Sequence, residues 1–475
     1  MQTNGYHIKK TKSNLEEITR IKLDLMVRPQ GPPQFMKDNK PFPVYNETEK
    51  YLIIPRYYAK DTLNVKMKFK KSEIDTNCKI NFKSNLRELQ QEIMDEVIPK
   101  IKKTKGGMIS LPCGFGKTVC SLYLASKLGK KTLVIVHKTF LMNQWKERIE
   151  QFTDAKVGQI RQDKIEVEDC DIVIGMLQSI SKDKYTEELF KEFGLVIFDE
   201  AHHAPSRYFS RSLPIISSEY MLALSATPKR TDRLEKVIHW YFGPMLYKIT
   251  DNRNIQVLVK MYNYHSTHST FKEAMLPYNG DVNLPKTINR ITKLKKRNKF
   301  IINLIDELLM EEGRKVLILS DRIQHLESLK EMLDDKELTD NDFYIGKMKQ
   351  KDLDIAAEKQ IILGSYAMAS EALDIPTLNT LIMVTSRRNI EQSVGRILRK
   401  PDGEVQPLII DLNDKLNCFQ RQGNFRKKYY IKKGYKIIIN EMDDNKIVSS
   451  HEETGNKEKV YYNDPVNIDD VDFID

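Results

Sequence analysis

The amino-acid sequence predicts an α/β protein with two tandem domains, each built on a parallel β-sheet, preceded by a small strand-rich module. Three observations support this prediction. Short apolar runs recur between amphipathic helical segments, these runs fall into two sets, and the alternation is lost between the two sets. Strands of parallel sheets read as continuous apolar runs because helices cover both faces of the sheet.

The two sets of strand-like runs are well separated along the chain. The first set comprises Met108–Leu111, Thr132–His137, Asp171–Gly175, Leu195–Phe198 and Met221–Leu224. The second set comprises Lys315–Leu319, Gln360–Gly364, Thr380–Val384 and Pro407–Ile410. Helical segments such as Thr118–Lys127 and Phe140–Gln151 lie between the strands, as crossover connections in parallel sheets require.

Shifts in composition suggest the domain boundaries. We expect an accessory module at residues 1–83 that engages DNA, a first α/β domain at 84–250, a linker at 251–290, a second α/β domain at 291–440 and a flexible acidic tail at 441–475.

The composition excludes several protein classes. The chain has 475 residues, of which 40% are hydrophobic and 30% charged, which argues against disordered, collagen-like and membrane proteins. We find no apolar run long enough to span a bilayer and no secretory signal. The five cysteines form no paired spacing, which favours a reducing, intracellular compartment and no structural zinc.

The charge is unevenly distributed. The formal net charge is +11, but residues 441–475 contain eleven acidic and three basic side chains, so the preceding part of the chain carries +19. A basic body of this kind suggests a polyanionic partner. The tail is either a solvated terminus or an internal mimic of nucleic acid.

A glycine-rich loop follows the strand that ends at Leu111. The loop reads Pro112, Cys113, Gly114, Phe115, Gly116, Lys117 and Thr118, and a helix begins directly after it. Such a loop turns its backbone N–H groups toward a polyphosphate, while Lys117 reaches the outer phosphates and the Thr118 hydroxyl binds Mg²⁺. Leu111 stands where the common pattern has a first glycine. The sequence therefore predicts an ATP site.

Two adjacent carboxylates, Asp199 and Glu200, follow the apolar strand Leu195–Phe198. They lie at the carboxyl edge of the predicted sheet, where ligands of α/β proteins bind. Asp199 is expected to hold Mg²⁺ and Glu200 to polarise the attacking water, with His202 close by. An ordinary solvated acidic turn is the alternative.

The second domain carries a group of polar residues after the strand Thr380–Val384. Gln392, Arg396 and Arg399 belong to the segment Gln392–Arg399, in which the two arginines are three residues apart and share one helical face. Guanidinium groups stabilise charge that develops on a transferred phosphoryl group. A solvated basic helix is the alternative.

These motifs, in this order, resemble those of superfamily 2 helicases of the DExH type, which consist of two RecA-like domains. The resemblance covers residues 84–440 and includes further matching segments at Leu86–Gln90, Val134–Trp145, Leu224–Arg230, Leu317–Leu326 and Ser365–Pro376. The forms of the phosphate loop and of Gln392–Arg399 are similar to XPB-type and UvsW-type enzymes. The greatest likeness is to helicases of large cytoplasmic DNA viruses, such as the poxvirus transcript-release helicase.

The resemblance implies further residue roles. Arg87, Gln90 and Asp374 would contact ATP, and Lys117, Glu200, His202, Gln392, Arg396 and Arg399 would form the catalytic set. Nucleic acid would lie against Gln178, Ser225, Thr227, Arg322 and Ser365. By their charge, two basic runs could line the same track, with solvated surface faces as the alternative: Lys293, Lys295, Lys296, Arg297 and Lys299, and then Arg426, Lys427, Lys428, Lys432 and Lys433. Phe425, Tyr429 and Tyr430 lie among the residues of the second run and make it the better candidate.

The resemblance predicts an ATP hydrolase that uses Mg²⁺ and moves 3′ to 5′ along single-stranded or duplex DNA. Its task would be transcript release together with the transcription machinery, or DNA repair and recombination. An RNA helicase and a non-catalytic ATP-binding assembly factor are the alternatives. We expect no membrane partner and a cytoplasmic location, in a virion or viral factory if the protein is viral, with the nucleus as an alternative. The sequence leaves the oligomeric state open.

Overall fold

The computed structural model describes residues 5–30, 40–67, 74–112, 114–182, 184–225, 232–249, 256–371, 373, 375–397, 405–453, 459–462 and 466–467. The chain divides into two compact units, residues 1–250 and 251–475. Each unit is built on its own large sheet, so the predicted pair of α/β domains is confirmed.

The first unit contains thirteen strands and eight α-helices among its described residues. In chain order they are β1 (Tyr6–Lys9), α1 (Leu15–Asp24), β2 (Met26–Val27), β3 (Phe42–Pro43), β4 (Asn46–Glu47), β5 (Tyr51–Ile54), α2 (Arg56–Leu63), α3 (Glu88–Thr104), β6 (Gly106–Ser110), α4 (Lys117–Leu128), β7 (Thr132–Val136), α5 (Thr139–Phe152), β8 (Val157–Arg161), β9 (Lys164–Glu166), β10 (Ile172–Met176), α6 (Leu177–Ile180), β11 (Leu195–Phe198), α7 (Ser212–Ile215), β12 (Tyr220–Ser225), α8 (Glu235–Phe242) and β13 (Met245–Lys248).

The large sheet of this unit has the strand order β13-β6-β12-β11-β7-β10-β8-β9. All neighbouring strands are parallel except the β8–β9 hairpin at one edge. Strands β6, β7, β10, β11 and β12 are buried along their whole length. This burial explains why their sequences are continuously apolar, since helices cover both faces.

The N-terminal segment contributes to the core of the first unit. Ile21, Leu52 and Tyr58 belong to the same apolar cluster as Met108 and Leu133 of the large sheet. Its strands β1, β5 and β4 form a small antiparallel sheet, which agrees with the predicted strand-rich character.

Buried Arg56 also ties this segment to the sheet. Its guanidinium donates hydrogen bonds to the carbonyl oxygens of Ser218 (2.8 Å), Glu219 (3.2 Å) and Lys105 (3.0 Å). Residues 1–83 therefore do not form the separate module expected from the sequence.

The second unit contains ten strands and seven helices among its described residues. They are β14 (Leu258–His265), α9 (Leu284–Ile291), α10 (Lys295–Leu309), β15 (Val316–Ser320), α11 (Ile323–Asp335), β16 (Asn341–Tyr344), α12 (Gln350–Glu358), β17 (Ile361–Ser365), α13 (Tyr366–Glu371), β18 (Thr380–Met383), α14 (Glu391–Ile397), β19 (Leu408–Asp414), α15 (Asn417–Lys432), β20 (Lys436–Asp443), β21 (Lys446–Glu453), β22 (Lys459–Tyr462) and β23 (Val466–Asn467).

The sheet of the second unit has the order β16-β17-β15-β18-β19-β14-β20-β21-β22, with β23 also paired to β21. The prediction of a linker over 251–290 is wrong for β14, which lies in the sheet between β19 and β20 and is parallel to both. Only some of its residues are buried, so its sequence lacks the continuous apolar run that marked the other strands.

The prediction of a flexible tail over 441–475 is also wrong for residues 441–453. This segment completes β20 and forms β21, which pair as antiparallel strands. The acidic residues are accommodated because they pair with lysines outside the strands: Glu441 Oε2 lies 3.0 Å from Nζ of Lys415, which follows β19, and Glu453 pairs with Lys427 on α15. Met442 between them is buried.

Within the described part of the chain, every helix is too short or too polar to cross a membrane.

Candidate active site

The glycine-rich loop connects the buried strand β6 to helix α4. Gly114 and Gly116 have positive φ angles of 77° and 96°, which favour glycine. A Cβ on Gly116 would lie 2.5 Å from Nε2 of Gln90, so a larger residue would displace the Gln90 side chain from the loop. Nζ of Lys117, the first residue of α4, donates to the carbonyl oxygen of Leu111 at 3.2 Å. This geometry places the Lys117 ammonium group over the loop, at the positive end of α4.

Arg87 and Gln90, predicted to contact ATP, lie against this loop. Nη2 of Arg87 and Nε2 of Gln90 donate to the carbonyl oxygen of Phe115 at 2.6 and 2.8 Å. Oε1 of Gln90 accepts from the backbone N–H of Arg87 at 3.1 Å, which fixes the Gln90 side chain at the start of α3. The structure therefore brings together two sequence motifs that are 25 residues apart.

Asp199 lies directly after β11 and is buried. Its Oδ2 accepts a 2.8 Å hydrogen bond from the indole Nε1–H of Trp145 on α5, and its Oδ1 accepts one from the backbone N–H of Glu200 at 3.0 Å. Burial and the neighbouring Glu200 charge raise the pKa of Asp199, whereas the Trp145 hydrogen bond and Lys117 oppose this rise. A cation bound at this carboxylate would favour its ionised form.

Glu200 has a left-handed backbone conformation, with φ of 49°. Its Oε2 lies 3.2 Å from Nδ1 of His202. Burial disfavours the ionised form, but the interaction with His202 and the positive charge of Lys117 outweigh it and hold the pKa of Glu200 below its usual range. The carboxylate is therefore suited to orienting a water molecule rather than to acting as a strong base.

His202 connects this carboxylate to the next strand of the sheet. Its Nδ1 lies 3.3 Å from Oγ of Ser225, the last residue of β12. The His202 ring also lies 4.3 Å from the ring of His203, which in turn lies 4.0 Å from that of His137. Side chains from the ends of three strands thus meet around Glu200.

Sequence reasoning missed one residue that contacts the predicted nucleotide site, Trp145, whose indole N–H binds Asp199. Its segment was matched as a motif, but no role was predicted for its side chain. Trp145 lies on the helix that follows β7, and β7 is the neighbour of β11, the strand that leads into Asp199. Only the strand order in the sheet reveals that these two segments are close.

Four of the predicted site residues, Cys113, Thr227, Asp374 and Arg399, lie outside the described residues. In the second unit, Gln392 and Arg396 lie on α14, and Arg396 is buried. Nε of Arg396 donates to the carbonyl oxygen of Ala369 on α13 at 2.7 Å.

The predicted nucleic-acid contacts in the described residues already have partners within the protein. Nε2 of Gln178 donates to the carbonyl oxygen of His137. The Arg322 guanidinium donates to Oδ1 of Asn289 at 2.5 Å and to two backbone carbonyl oxygens. Oγ of Ser365 accepts from the backbone N–H of Met368 at 3.4 Å. Any contact of these side chains with nucleic acid would have to share or replace these bonds.

The two basic runs contain buried members that cannot line a nucleic-acid track. Arg297 is fully buried and forms two hydrogen bonds with Asp414, at 2.7 and 2.9 Å. Arg426 is buried with Asp411, whose Oδ2 also accepts from the Tyr430 hydroxyl at 2.9 Å. For these residues the expected role is wrong, because a charge that helix periodicity places on the inner face must pair inside the core.

The residues at the loop fit a magnesium ion bound together with phosphate. Among the described residues no three His, Cys, Asp or Glu side chains are grouped to hold a metal by themselves. Mg²⁺ in phosphoryl-transfer sites takes one or two protein oxygens and otherwise phosphate and water. The buried Asp199 carboxylate and the Thr118 hydroxyl at the start of α4 supply oxygens of this kind.

Two family descriptions match the chain. Residues 83–230 match the family described as "Type III restriction enzyme, res subunit", and residues 296–400 match the "Helicase conserved C-terminal domain".

Viral proteins are similar over much of the chain. L396 of Acanthamoeba polyphaga mimivirus, which carries the name of an ATP-dependent RNA helicase, is 38% identical and covers 99% of this chain and 97% of its own length. D10 of Escherichia phage T5, which carries the name of a helicase, is 30% identical and covers 68% of this chain and 71% of its own length.

Among solved structures, a fragment of an HsdR-type subunit of a type I restriction enzyme from Vibrio vulnificus has a similar fold. Its TM-score is 0.52 at 15% identity, and the alignment covers 76% of this chain and 70% of that one. The family predicted from the ordered motifs is thus confirmed by both domain matches and by relatives of nearly the same length. The chain belongs to the superfamily 2 helicases, in the group that includes those of large DNA viruses, and is an ATP-hydrolysing enzyme.

Proposed function

We propose that the chain is a DNA-stimulated ATPase that moves 3′ to 5′ along DNA, unwinding or remodelling it. The observation that carries this proposal is the contact of His202 with both Glu200 and Ser225. It joins the carboxylate that would orient the attacking water to the strand end at which nucleic acid is expected. A movement of the Ser225 side chain would therefore change the position of Glu200 through His202, and the reverse.

In this proposal the described residues of the first unit divide the work of hydrolysis. Lys117 and the backbone N–H groups of the loop bind the phosphates, and Arg87 and Gln90 contact the adenine. The carboxylate of Asp199 and the hydroxyl of Thr118 hold Mg²⁺, which when bound neutralises charge on the phosphates. Glu200 orients the water that attacks the terminal phosphorus.

The second unit would complete the site. Gln392, Arg396 and Arg399 would contact the terminal phosphate, Arg399 as the arginine that stabilises the developing charge, and Asp374 would contact the nucleotide. The described contact of Arg396 with the Ala369 carbonyl gives it an additional structural role. Loss of hydrolysis in an Arg396 variant alone would therefore not prove contact with phosphate.

DNA is favoured over RNA by the family match of the first unit, since restriction enzymes act on DNA. RNA is the second candidate because L396 carries the name of an RNA helicase. The two polymers share the phosphate backbone that dominates binding in such motors, so the backbone contacts themselves do not separate them.

The test compares ATP hydrolysis by the full chain without nucleic acid and with single-stranded DNA, duplex DNA, forked DNA and single-stranded RNA. We expect stimulation by DNA above that by RNA, and displacement of a strand only from a fork with a 3′ loading tail. Stimulation by RNA alone would reject DNA as the substrate, and displacement only from 5′ tails would reject the polarity.

Site variants complete this test. Lys117→Ala and Glu200→Gln are expected to abolish stimulated hydrolysis while the affinity for DNA stays close to that of the wild type. Arg399→Ala should keep ATP binding and lose hydrolysis. Unchanged turnover in Lys117→Ala or Glu200→Gln would contradict the site, and unchanged turnover in Arg399→Ala would place the arginine elsewhere.

The biological setting proposed here is intracellular, in the cytoplasmic compartment where large DNA viruses replicate or in the virion. Transcript release with the transcription machinery and DNA repair or recombination are both compatible with such a motor. Purification of the tagged protein from infected cells, followed by identification of bound RNA polymerase subunits, distinguishes the first role from the second.

A further inference from the structure

Helix α15 presents two contrasting faces. Phe419, Gly423, Arg426 and Tyr430 recur at helical spacing on its buried face. Arg421, Phe425, Lys428 and Lys432 recur at the same spacing on its exposed face. The helix contains no acidic residue, so its exposed face is basic with one aromatic ring in the middle.

Phe425 is the centre of this face. Its side chain is 44% exposed, although phenylalanine is usually buried. The guanidinium carbon of Arg388 lies 4.6 Å from the centroid of the Phe425 ring. Arg388 is itself exposed, and it is located in the loop after β18. A guanidinium plane and an aromatic ring therefore lie together at the surface.

Buried groups fix this loop to the helix. Nη1 of Arg426 donates to Oγ of Ser386 at 3.0 Å and to the carbonyl oxygen of Arg387 at 2.8 Å. Oγ of Ser386 also donates to Oε1 of Gln422 on α15 at 3.0 Å. The position of Arg388 is thus set before any ligand binds, which lowers the entropy cost of binding.

The same loop reaches toward the predicted nucleic-acid contacts of the second unit. Nη1 of Arg387 lies 3.0 Å from Oδ1 of Asp321, which precedes Arg322. The Arg387 guanidinium also lies 5.2 Å from the ring centroid of Tyr366, which follows Ser365. The loop that carries Arg388 therefore contacts both α15 and the residues that follow β15 and β17.

We propose that Arg388, Arg421, Phe425 and Lys428, here called the α15 platform, bind single-stranded nucleic acid. A base stacks on the Phe425–Arg388 pair, while Arg421 and Lys428, one turn to either side of Phe425, bind the adjoining phosphates. Stacking on aromatic and guanidinium planes is tolerant of sequence, as a translocating motor requires. This inference rests on the proposed function and adds a contact to it outside the motifs that define the family resemblance.

A single strand fits this surface better than a duplex does. In a duplex the bases are stacked on one another and their faces are not accessible to a side chain. The phosphates of both forms remain accessible to Arg421 and Lys428. Removing the ring should therefore affect single strands selectively, whereas removing the cations should affect both forms.

The test measures equilibrium binding of the full-length protein to labelled oligothymidylate, oligouridylate and a blunt DNA duplex by fluorescence anisotropy. Phe425→Ala is expected to weaken binding of both single strands by about 10-fold, the size of one base–aromatic stacking interaction. Duplex affinity should stay within about 2-fold, since the cations that bind phosphate remain. Phe425→Trp should restore single-strand binding.

Ile431→Ala is the matched control, because Ile431 is an apolar residue of the same helix that is 36% exposed. It should leave all affinities unchanged. Equal thermal midpoints of Phe425→Ala and wild type exclude a folding defect. The double variant Arg421→Ala with Lys428→Ala should reduce the slope of log affinity against log salt by about 0.7 for each phosphate that is no longer neutralised.

Two outcomes overturn the platform. One is unchanged single-strand affinity in Phe425→Ala, as expected if an acidic protein segment occupies this face instead. The other is an equal loss for duplex and single strands, which would exclude stacking. Both presuppose that the wild type binds nucleic acid and is stimulated by it. A wild type that does neither contradicts the proposed function itself.

Discussion

The carboxylate of Asp411 accepts two parallel hydrogen bonds from the guanidinium of Arg426, each 2.8 Å long, in the interior of the second unit. The pair joins β19, which carries Asp411, to α15, which carries Arg426. The Tyr430 hydroxyl donates to the same carboxylate, so the buried negative charge is well compensated. Because Arg426 also holds the Ser386–Arg388 loop, one ion pair supports both the core and the exposed face of the helix.

Arg426→Ala is predicted to destabilise the second unit by about 3–5 kcal/mol, because it leaves the Asp411 carboxylate buried without its cation. The two tryptophans, Trp145 and Trp240, both belong to the first unit, so their fluorescence follows that unit alone. In denaturant, far-UV circular dichroism should therefore show an early transition that tryptophan fluorescence does not.

Lys428→Ala on the exposed face of the same helix is the control for this experiment. Its effect on stability should stay within about 0.5 kcal/mol. Coincident transitions by both probes in Arg426→Ala would show that the ion pair is not important for the stability of the second unit.

The contrast between Arg426 and Lys428 shows what the sequence could and could not predict. The run of basic and aromatic residues is visible in the sequence and predicts a nucleic-acid track without separating buried from exposed positions. Its division into buried and exposed positions depends on the partner Asp411, 15 residues earlier and on another element. The pattern of charges along α15 does not reveal Asp411, because only the folding of β19 against α15 brings that carboxylate close to Arg426.

The same physical reason applies to the fold. Strands buried on both faces, such as β7 and β11, were predicted because their apolar runs are continuous. Strand β14 was assigned to a linker because polar residues interrupt its apolar ones. Local pattern thus predicted the strands that are apolar along their whole length, whereas β14 inside the second sheet and β21 nearer its edge depended on pairing with distant residues.

A second prediction concerns Trp145. Trp145→Phe keeps an aromatic ring in the core but removes the hydrogen bond to Asp199. Because that bond favours the ionised carboxylate, its loss should raise the pKa of Asp199 further. Protons would then compete with Mg²⁺ more strongly. We expect the Mg²⁺ concentration for half-maximal ATP hydrolysis to rise about 10-fold, with a greater loss of activity at acidic than at alkaline pH.

Trp240→Phe provides the control, since Trp240 is the other tryptophan and packs on Tyr58 at a ring-centroid distance of 5.3 Å. Its Mg²⁺ requirement should match that of the wild type. An unchanged Mg²⁺ requirement and pH profile in Trp145→Phe would show that the indole does not position Asp199 for metal binding.

A third prediction follows from the contact between His202 and Ser225. Ser225→Ala should leave basal ATP hydrolysis within about 2-fold of the wild type but lower its stimulation by DNA, because the hydroxyl links Glu200 to the strand end through His202. His202→Ala should lower the stimulation as well. The double variant should then lose no more of the DNA stimulation than the more severe single variant does, as expected for two residues that act through one contact.

The stimulation ratio in the four proteins of this cycle is measured at saturating single-stranded DNA. Additive losses in the double variant would indicate that the two side chains act independently. A matched control is Ser212→Ala, because the Ser212 hydroxyl only donates to the backbone carbonyl of Phe209, at 2.7 Å.

The last prediction concerns the acidic C-terminal segment. Since residues 441–453 belong to strands β20 and β21, a deletion that begins after Glu453 keeps both of these strands; of the strands in the described residues it removes β22 and β23. Residues 454–475 contain six acidic and two basic side chains. If they compete with DNA for the basic surface, their deletion should strengthen DNA binding several-fold at low salt, and the difference should vanish as salt screens the charges. Deletion of 441–475 should instead lower the thermal midpoint, because it removes β21 and the buried Met442. Equal low-salt affinities of wild type and the 454–475 deletion would mean that this segment does not contact the DNA-binding surface.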